Sequence, residues 1–131
     1  MELQLTLAIN DLERTELFYR EVVGLRLERV SPGDNFPGFL LLRGSTSVLF
    51  RQEGDLEASH PALFQNLERH PKGVGVTIEL MLPDLDPVLR AVARRQLHTL
   101  YEIEDHQHAR RELWLHDPDG YLLILVEEQE S

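Results

Sequence analysis

Two hydrophobic periods alternate along this chain. Residues 3–9 place apolar side chains at every second position, the spacing of a strand with one buried face. Asn10 and Asp11 then stand as helix-start residues. Leu17, Phe18 and Val22 recur at helical spacing, and Gly24 lies where such a helix would stop. Residues 25–30 predict a second strand. Ser31-Pro32-Gly33-Asp34-Asn35 reads as a loop. Residues 39–42 and 47–51 predict two further strands around a turn at Gly44-Ser45.

The order then repeats. Residues 74–82 predict a strand, and Asp84 a helix cap, with Leu85, Val88, Leu89 and Val92 on the buried helix face. Residues 98–103, 112–116 and 121–126 predict three strands. The helix-start pairs Asp11-Leu12 and Asp84-Leu85 lie 73 positions apart (84 − 11), and the turn glycines Gly44 and Gly120 lie 76 apart (120 − 44). A near-constant offset between matching elements is the mark of an internal repeat. Residues 1–131 therefore read as one domain of two βαβββ modules, about 1–55 and 73–131. Ser59 would cap a linker helix over about 59–69, with Pro61 in its first turn. The fold class is α+β, with curved mixed sheets forming a cleft and helices on the outer faces.

Two segments carry words as well as pattern. The first is Leu7-Ala8-Ile9-Asn10-Asp11-Leu12-Glu13-Arg14, continuing to Phe18-Tyr19 and Gly24-Leu25. The second is Trp114-Leu115-His116-Asp117-Pro118-Asp119-Gly120-Tyr121-Leu122-Leu123. In this order and spacing they resemble the vicinal oxygen chelate superfamily, which includes glyoxalase I, extradiol dioxygenases, methylmalonyl-CoA epimerase, and fosfomycin- and bleomycin-resistance proteins. The resemblance covers nearly the whole chain. It implies a cleft between curved sheets and a homodimer, with some members building the cleft across the dimer interface.

Alternation assigns faces. Leu3, Leu5, Leu7 and Ile9 share one face of the first strand, and Gln4, Thr6 and Ala8 the other. Val74, Val76, Ile78, Leu80 and Leu82 share one face of the matching strand, and Gly75, Thr77, Glu79 and Met81 the other. The apolar faces are expected under the helices. The mixed faces are expected to line the cleft, or else simply to meet solvent. The 76-residue offset pairs Val48 with Ile124, which puts Val48, Phe50, Leu122, Ile124 and Val126 in the cleft as well. The expected ligand-binding set is thus Gln4, Thr6, Val48, Phe50, Thr77, Glu79, Met81, Leu122 and Ile124. Half polar and half apolar, it suits an amphiphilic organic ligand.

In metal-dependent relatives the resemblance implies ligands on the first and last strands of each module. Those positions here are Gln4, about Val48, Thr77 and Ile124. Gln4 alone offers a plausible donor, and a divalent ion needs several converging donors. No metal and no other cofactor is expected. A two-residue slip would bring Glu79 beside Gln4 and still fall short. His106 and His108 fall in the expected turn at 105–110. Glu79, in a partly apolar cleft, is the candidate general base, its pKa raised by desolvation. The plainer alternative is an ion pair with Arg51 or Arg111. Tyr19, Tyr101, Tyr121 and Trp114 could stack on an aromatic ligand, or simply pack.

Composition narrows the partners. The net charge of −10 argues against nonspecific nucleic-acid binding; it is compatible with a cationic ligand, though scattered acidic residues that serve solubility are the better reading. Cysteine is absent, which removes disulfides, thiolate metal sites and a cysteine nucleophile. No apolar stretch approaches a membrane span, and the N-terminus lacks the features of a signal peptide, so a cytoplasmic location is expected. The expected function is metal-free small-molecule binding. The alternatives are a metal-dependent lyase, epimerase or dioxygenase, a metal-free enzyme with Glu79 as base, and an interaction module with a vestigial cleft.

Overall fold

The computed structural model describes residues 1–31, 38–105, 107 and 110–128. Among them, β1 (Gln4–Ile9) leads into α1 (Leu12–Phe18), which continues as one π-helical turn (Tyr19–Val23). β2 (Glu28–Val30), β3 (Phe39–Leu42) and β4 (Ser47–Gln52) complete the first module. A short helix, α2 (Glu53–Ser59), and a 3-10 turn (Leu67–Arg69) lead to the second module. That module comprises β5 (Thr77–Leu82), α3 (Asp86–Arg95), β6 (Tyr101–Asp105), β7 (Arg110–His116) and β8 (Leu122–Glu128). The sheets run β1-β4-β3-β2 and β5-β8-β7-β6. In each, the first and last strands pair in parallel and the others antiparallel. The α+β class and the duplicated βαβββ architecture are as the pattern predicts. His106 and His108, and most of the expected loop at 31–35, lie outside the described residues.

Local chemistry explains the element ends. The Asp11 side chain accepts from the Glu13 and Arg14 amides at 2.8 and 3.1 Å and so caps α1. Asp84 accepts from the Asp86 amide at 2.9 Å, and the next free amide, that of Leu85, donates to Glu127 Oε2 at 2.6 Å. The first module has the same device. The Leu12 amide donates to Gln52 Oε1 at 3.2 Å. A side chain from the last strand of each module thus holds the start of that module's helix. The predicted strand at 74–82 shortens to begin at Thr77, because Gly75 sits at a φ of 77°, outside the β region.

The linker differs from expectation. The helix ends at Ser59 instead of starting there, and residues 60–69 hold a hydrogen-bonded turn after His60 and the 3-10 turn. Pro61 acts as a terminator: it disfavours helical backbone at His60, which adopts φ −140° and ψ 66°.

One core runs through both modules. Ile9, Tyr19, Leu40 and Phe50 from the first and Leu85, Leu113, Leu115, Leu123 and Leu125 from the second are almost wholly enclosed in a single cluster. Burying each such side chain is worth about 1.5–3 kcal/mol. α3 packs on the π-helical turn, so helices join the modules.

The Asp117–Gly120 turn bolts this junction. Asp119 accepts from the Asn10 amide at 2.8 Å, from Arg14 at 3.2 Å and from the Thr15 hydroxyl at 3.4 Å. Asp117 accepts from the Asp119 and Tyr121 amides, both at 3.0 Å, and from the Tyr19 hydroxyl at 3.2 Å. Tyr121 donates its hydroxyl proton to the Ala8 carbonyl at 2.7 Å. A Cβ on Gly73 would come within 2.6 Å of the Gly120 carbonyl oxygen, so the linker can cross this turn only as glycine. Tyr19 and Tyr121 are therefore fastened inside the junction.

Candidate functional site

Strand register decides which side chains share a face. Gln4, Thr6 and Ala8 pair with Ser47, Leu49 and Arg51, so these six lie on one face of the first sheet. Val48 and Phe50 pair with Leu5 and Leu7, on the opposite, apolar face; the row expected under the helix is enclosed only at its Ile9 end, since Leu3 and Leu5 are 52% and 47% exposed. Phe50 is 0% exposed and Val48 8%. The expectation that these two share a wall with Gln4 and Thr6 is therefore corrected. β4 begins three residues after Gly44, whereas β8 begins two after Gly120. Aligning the turn glycines thus shifts β4 by one residue, and one residue turns a strand over. Leu49, not Val48, is the counterpart of Ile124.

In the second sheet Thr77, Glu79 and Met81 pair with Leu122, Ile124 and Val126. Trp114 pairs with both Ile124 and Tyr101, which extends the same face across all four strands. Gln4, Thr6, Thr77, Glu79 and Met81 are exposed in the single chain. Each sheet therefore has one face under a helix and one largely open.

The second open face carries a connected polar network. Glu79 lies 3.7 Å from Arg110, and Arg110 holds Glu112 at 2.9 Å. The Trp114 indole N–H donates to Glu112 at 3.0 Å, and the Tyr101 ring meets the Trp114 ring edge-on at 5.2 Å. Arg110 and Glu112 were not singled out from the sequence, though alternation along β7 from Trp114 would have found them. The ion-pair partner of Glu79 is Arg110, not Arg51 or Arg111. Arg111 instead joins Asp86 at 2.9 Å and Glu127 at 2.6 Å, and these bonds hold its guanidinium pKa above the ordinary range. The Glu79 side chain is 53% exposed, so the apolar burial expected of a general base is not present in the single chain.

A groove of about 590 Å³ opens between the modules. β5 forms one wall, and Leu5, Leu7, Leu42 and Val48 the other. It brings together Val48, Thr77, Glu79 and Met81. Gln4, Thr6, Phe50, Leu122 and Ile124 do not line it.

The positions that would hold a metal are filled by Gln4, Leu49, Thr77 and Ile124. Among the described residues no three His, Cys, Asp or Glu side chains gather to hold an ion. Leucine and isoleucine have no lone pairs, and Glu79 faces a guanidinium. This donor set does not fit a divalent metal.

The junction is electrostatically distinct. Burial pushes the Asp117 carboxyl above its ordinary value, against the opposing pull of the Tyr121 and Asp119 amides. Burial, reinforced by the Asp117 charge, raises the Tyr19 phenol well above its usual range and pushes Tyr121 up to about 12.

The sequence profile of the Glyoxalase/Bleomycin resistance protein/Dioxygenase superfamily matches residues 3–125. The chain belongs to this superfamily. Solved structures agree on the fold. A glyoxalase/bleomycin resistance protein/dioxygenase from Nocardioides is 17% identical, with a TM-score of 0.65 over 100% of this chain and 85% of that one. A superfamily member from Sphaerobacter thermophilus is 20% identical, with a TM-score of 0.61 over 98% and 97%. A lactoylglutathione lyase from Agrobacterium tumefaciens is 20% identical, with a TM-score of 0.59 over 97% and 92%. No curated protein matches the chain. Among the described residues, no helix is long and apolar enough to cross a membrane.

Proposed function

We propose that this superfamily member is a metal-free binding protein for an amphiphilic organic ligand, held on the open sheet faces and enclosed by a second copy of the chain. One observation carries the reading: the four positions that would supply a metal cage hold Gln4, Leu49, Thr77 and Ile124, of which Gln4 alone is a plausible ligand and Thr77 a poor one. The open faces mix Gln4, Thr6 and the Glu79 network with Leu49, Leu122 and Ile124, a lining suited to a ligand with apolar and polar ends.

Homodimerisation has its own support. β1 and β5 are both sheet edges, with unpaired backbone groups along one side. Leu5 is 47% exposed on one and Met81 53% exposed on the other. Pairing these edges between copies would bring the first sheet of one copy toward the second sheet of its partner. The acidic, cysteine-free composition fits a cytoplasmic protein without nucleic-acid or membrane partners.

Elemental analysis of protein purified without a histidine tag tests the reading, together with thermal shift on a panel of small organic compounds. Substoichiometric metal is expected, with a ligand-induced rise in Tm that survives chelator. A stoichiometric ion whose removal abolishes binding overturns it. Light scattering is expected to give twice the chain mass.

A further inference from the structure

Thirteen Lys and Arg residues serve this acidic chain, and nine of them are exposed. The four that are partly buried are Arg51, Lys72, Arg110 and Arg111. Three of these hold a carboxylate: Lys72 holds Glu53, Arg110 holds Glu112, and Arg111 holds Glu127. Arg51 holds none among the described residues, and its Nε is buried with no hydrogen-bond partner. Among the described residues, the other side-chain atom in that condition, Glu53 Oε2, lies against the Lys72 ammonium. A buried N–H without an acceptor is costly, and such groups are rare without a reason.

Arg51 stands on the open face of the first sheet, beside Ala8 on β1 and in phase with Thr6, Leu49, Ser47 and Gln4. We infer that Arg51 is the anchor for an anionic group on the ligand, an oxyanion such as a carboxylate or phosphonate that completes the guanidinium fork. A planar guanidinium matches two oxygens of one such group, and low local hydration strengthens the match. Thr6, Ser47 and Gln4 offer neutral hydrogen bonds along the same face, while Leu49 offers apolar contact. The net charge of −10 is compatible with a cationic ligand; Arg51, partly buried and without a carboxylate among the described residues, points to the opposite sign. This inference rests on the binding-protein reading and names the chemistry of its ligand.

Four probes sharing one hexyl chain test it: heptanoate, hexylphosphonate, hexanol and hexylammonium. Binding is followed by Tm and by the NMR signal of the Arg51 Nε–H. One or both anions are expected to raise Tm and shift that signal, and which of them binds tells carboxylate from phosphonate recognition. R51Q is expected to weaken anion binding at least tenfold, R51K to weaken it less, and the exposed control R90Q to leave it unchanged. Should R51Q fail to fold, R51K and the wild-type signal still decide. Equal anion affinity in the wild type and R51Q overturns the assignment, as does an Arg51 signal indifferent to anions. Preference for hexanol or hexylammonium on this face overturns it and leaves the binding-protein reading standing. Failure of all four probes overturns both. An R51Q variant that dissociates a dimer yet binds anions normally shows that Arg51 serves the interface, which also overturns it.

Discussion

The two modules share a topology and differ in what they do with charge. In the first, the last strand supports its helix through a neutral amide, Gln52 to the Leu12 amide. In the second, the same place is taken by Glu127, which is 2% exposed and is shared between the Leu85 amide and Arg111. The open face of the first sheet carries the unmatched Arg51, whereas that of the second carries the closed circuit of Glu79, Arg110 and Glu112. Their turns diverge too. The Asp117–Gly120 turn docks on α1, while residues 43–46 rim an open groove. A duplicated scaffold has thus kept the support of each helix by its module's last strand while the charges around it diverged.

Core substitution gives the largest expected effect and tests the register on which the comparison rests. Phe50→Ala should cost about 4 kcal/mol in urea denaturation, as expected of a fully enclosed aromatic, and Leu49→Ala about 1 kcal/mol or less. The reverse order would return Phe50 to the cleft. Next comes the pair of helix supports. Glu127→Ala should cost about 3 kcal/mol, since it leaves a buried amide without its acceptor and removes the buried carboxylate partner of Arg111, while Gln52→Ala should cost about 1 kcal/mol. Equal losses would mean that the two modules are energetically alike.

The junction adds a pH signature. Because burial holds the folded Asp117 carboxyl above its unfolded value, its contribution to stability is fully present below the unfolded pKa. That contribution is lost as pH rises through the raised folded value. Urea denaturation of the wild type and Asp117→Asn between about pH 4 and about pH 8 should show the variant gaining on the wild type across that window. A constant difference would show that Asp117 does not titrate there. The smallest effect is expected at Glu79. With its exposed carboxylate 3.7 Å from Arg110, Glu79→Gln should change stability by about 0.5 kcal/mol or less. A larger loss, seen only at concentrations where the chain dimerises, would show that a second copy buries this group.

Periodicity and turn residues by themselves determined the element order, the duplication, the helix starts at Asp11 and Asp84 and which face of each edge strand is apolar. These depend on local spacing and on side-chain solubility, which a sequence displays directly. The register of β4 was out of their reach, because turn glycines do not measure turn length and a single residue inverts a strand. So were the pairing of Glu79 with Arg110, the capping of α3 by Glu127 and the isolation of Arg51. Each joins or separates residues far apart in the chain, and partner choice among thirteen cations and twenty-three carboxylates is made by packing alone.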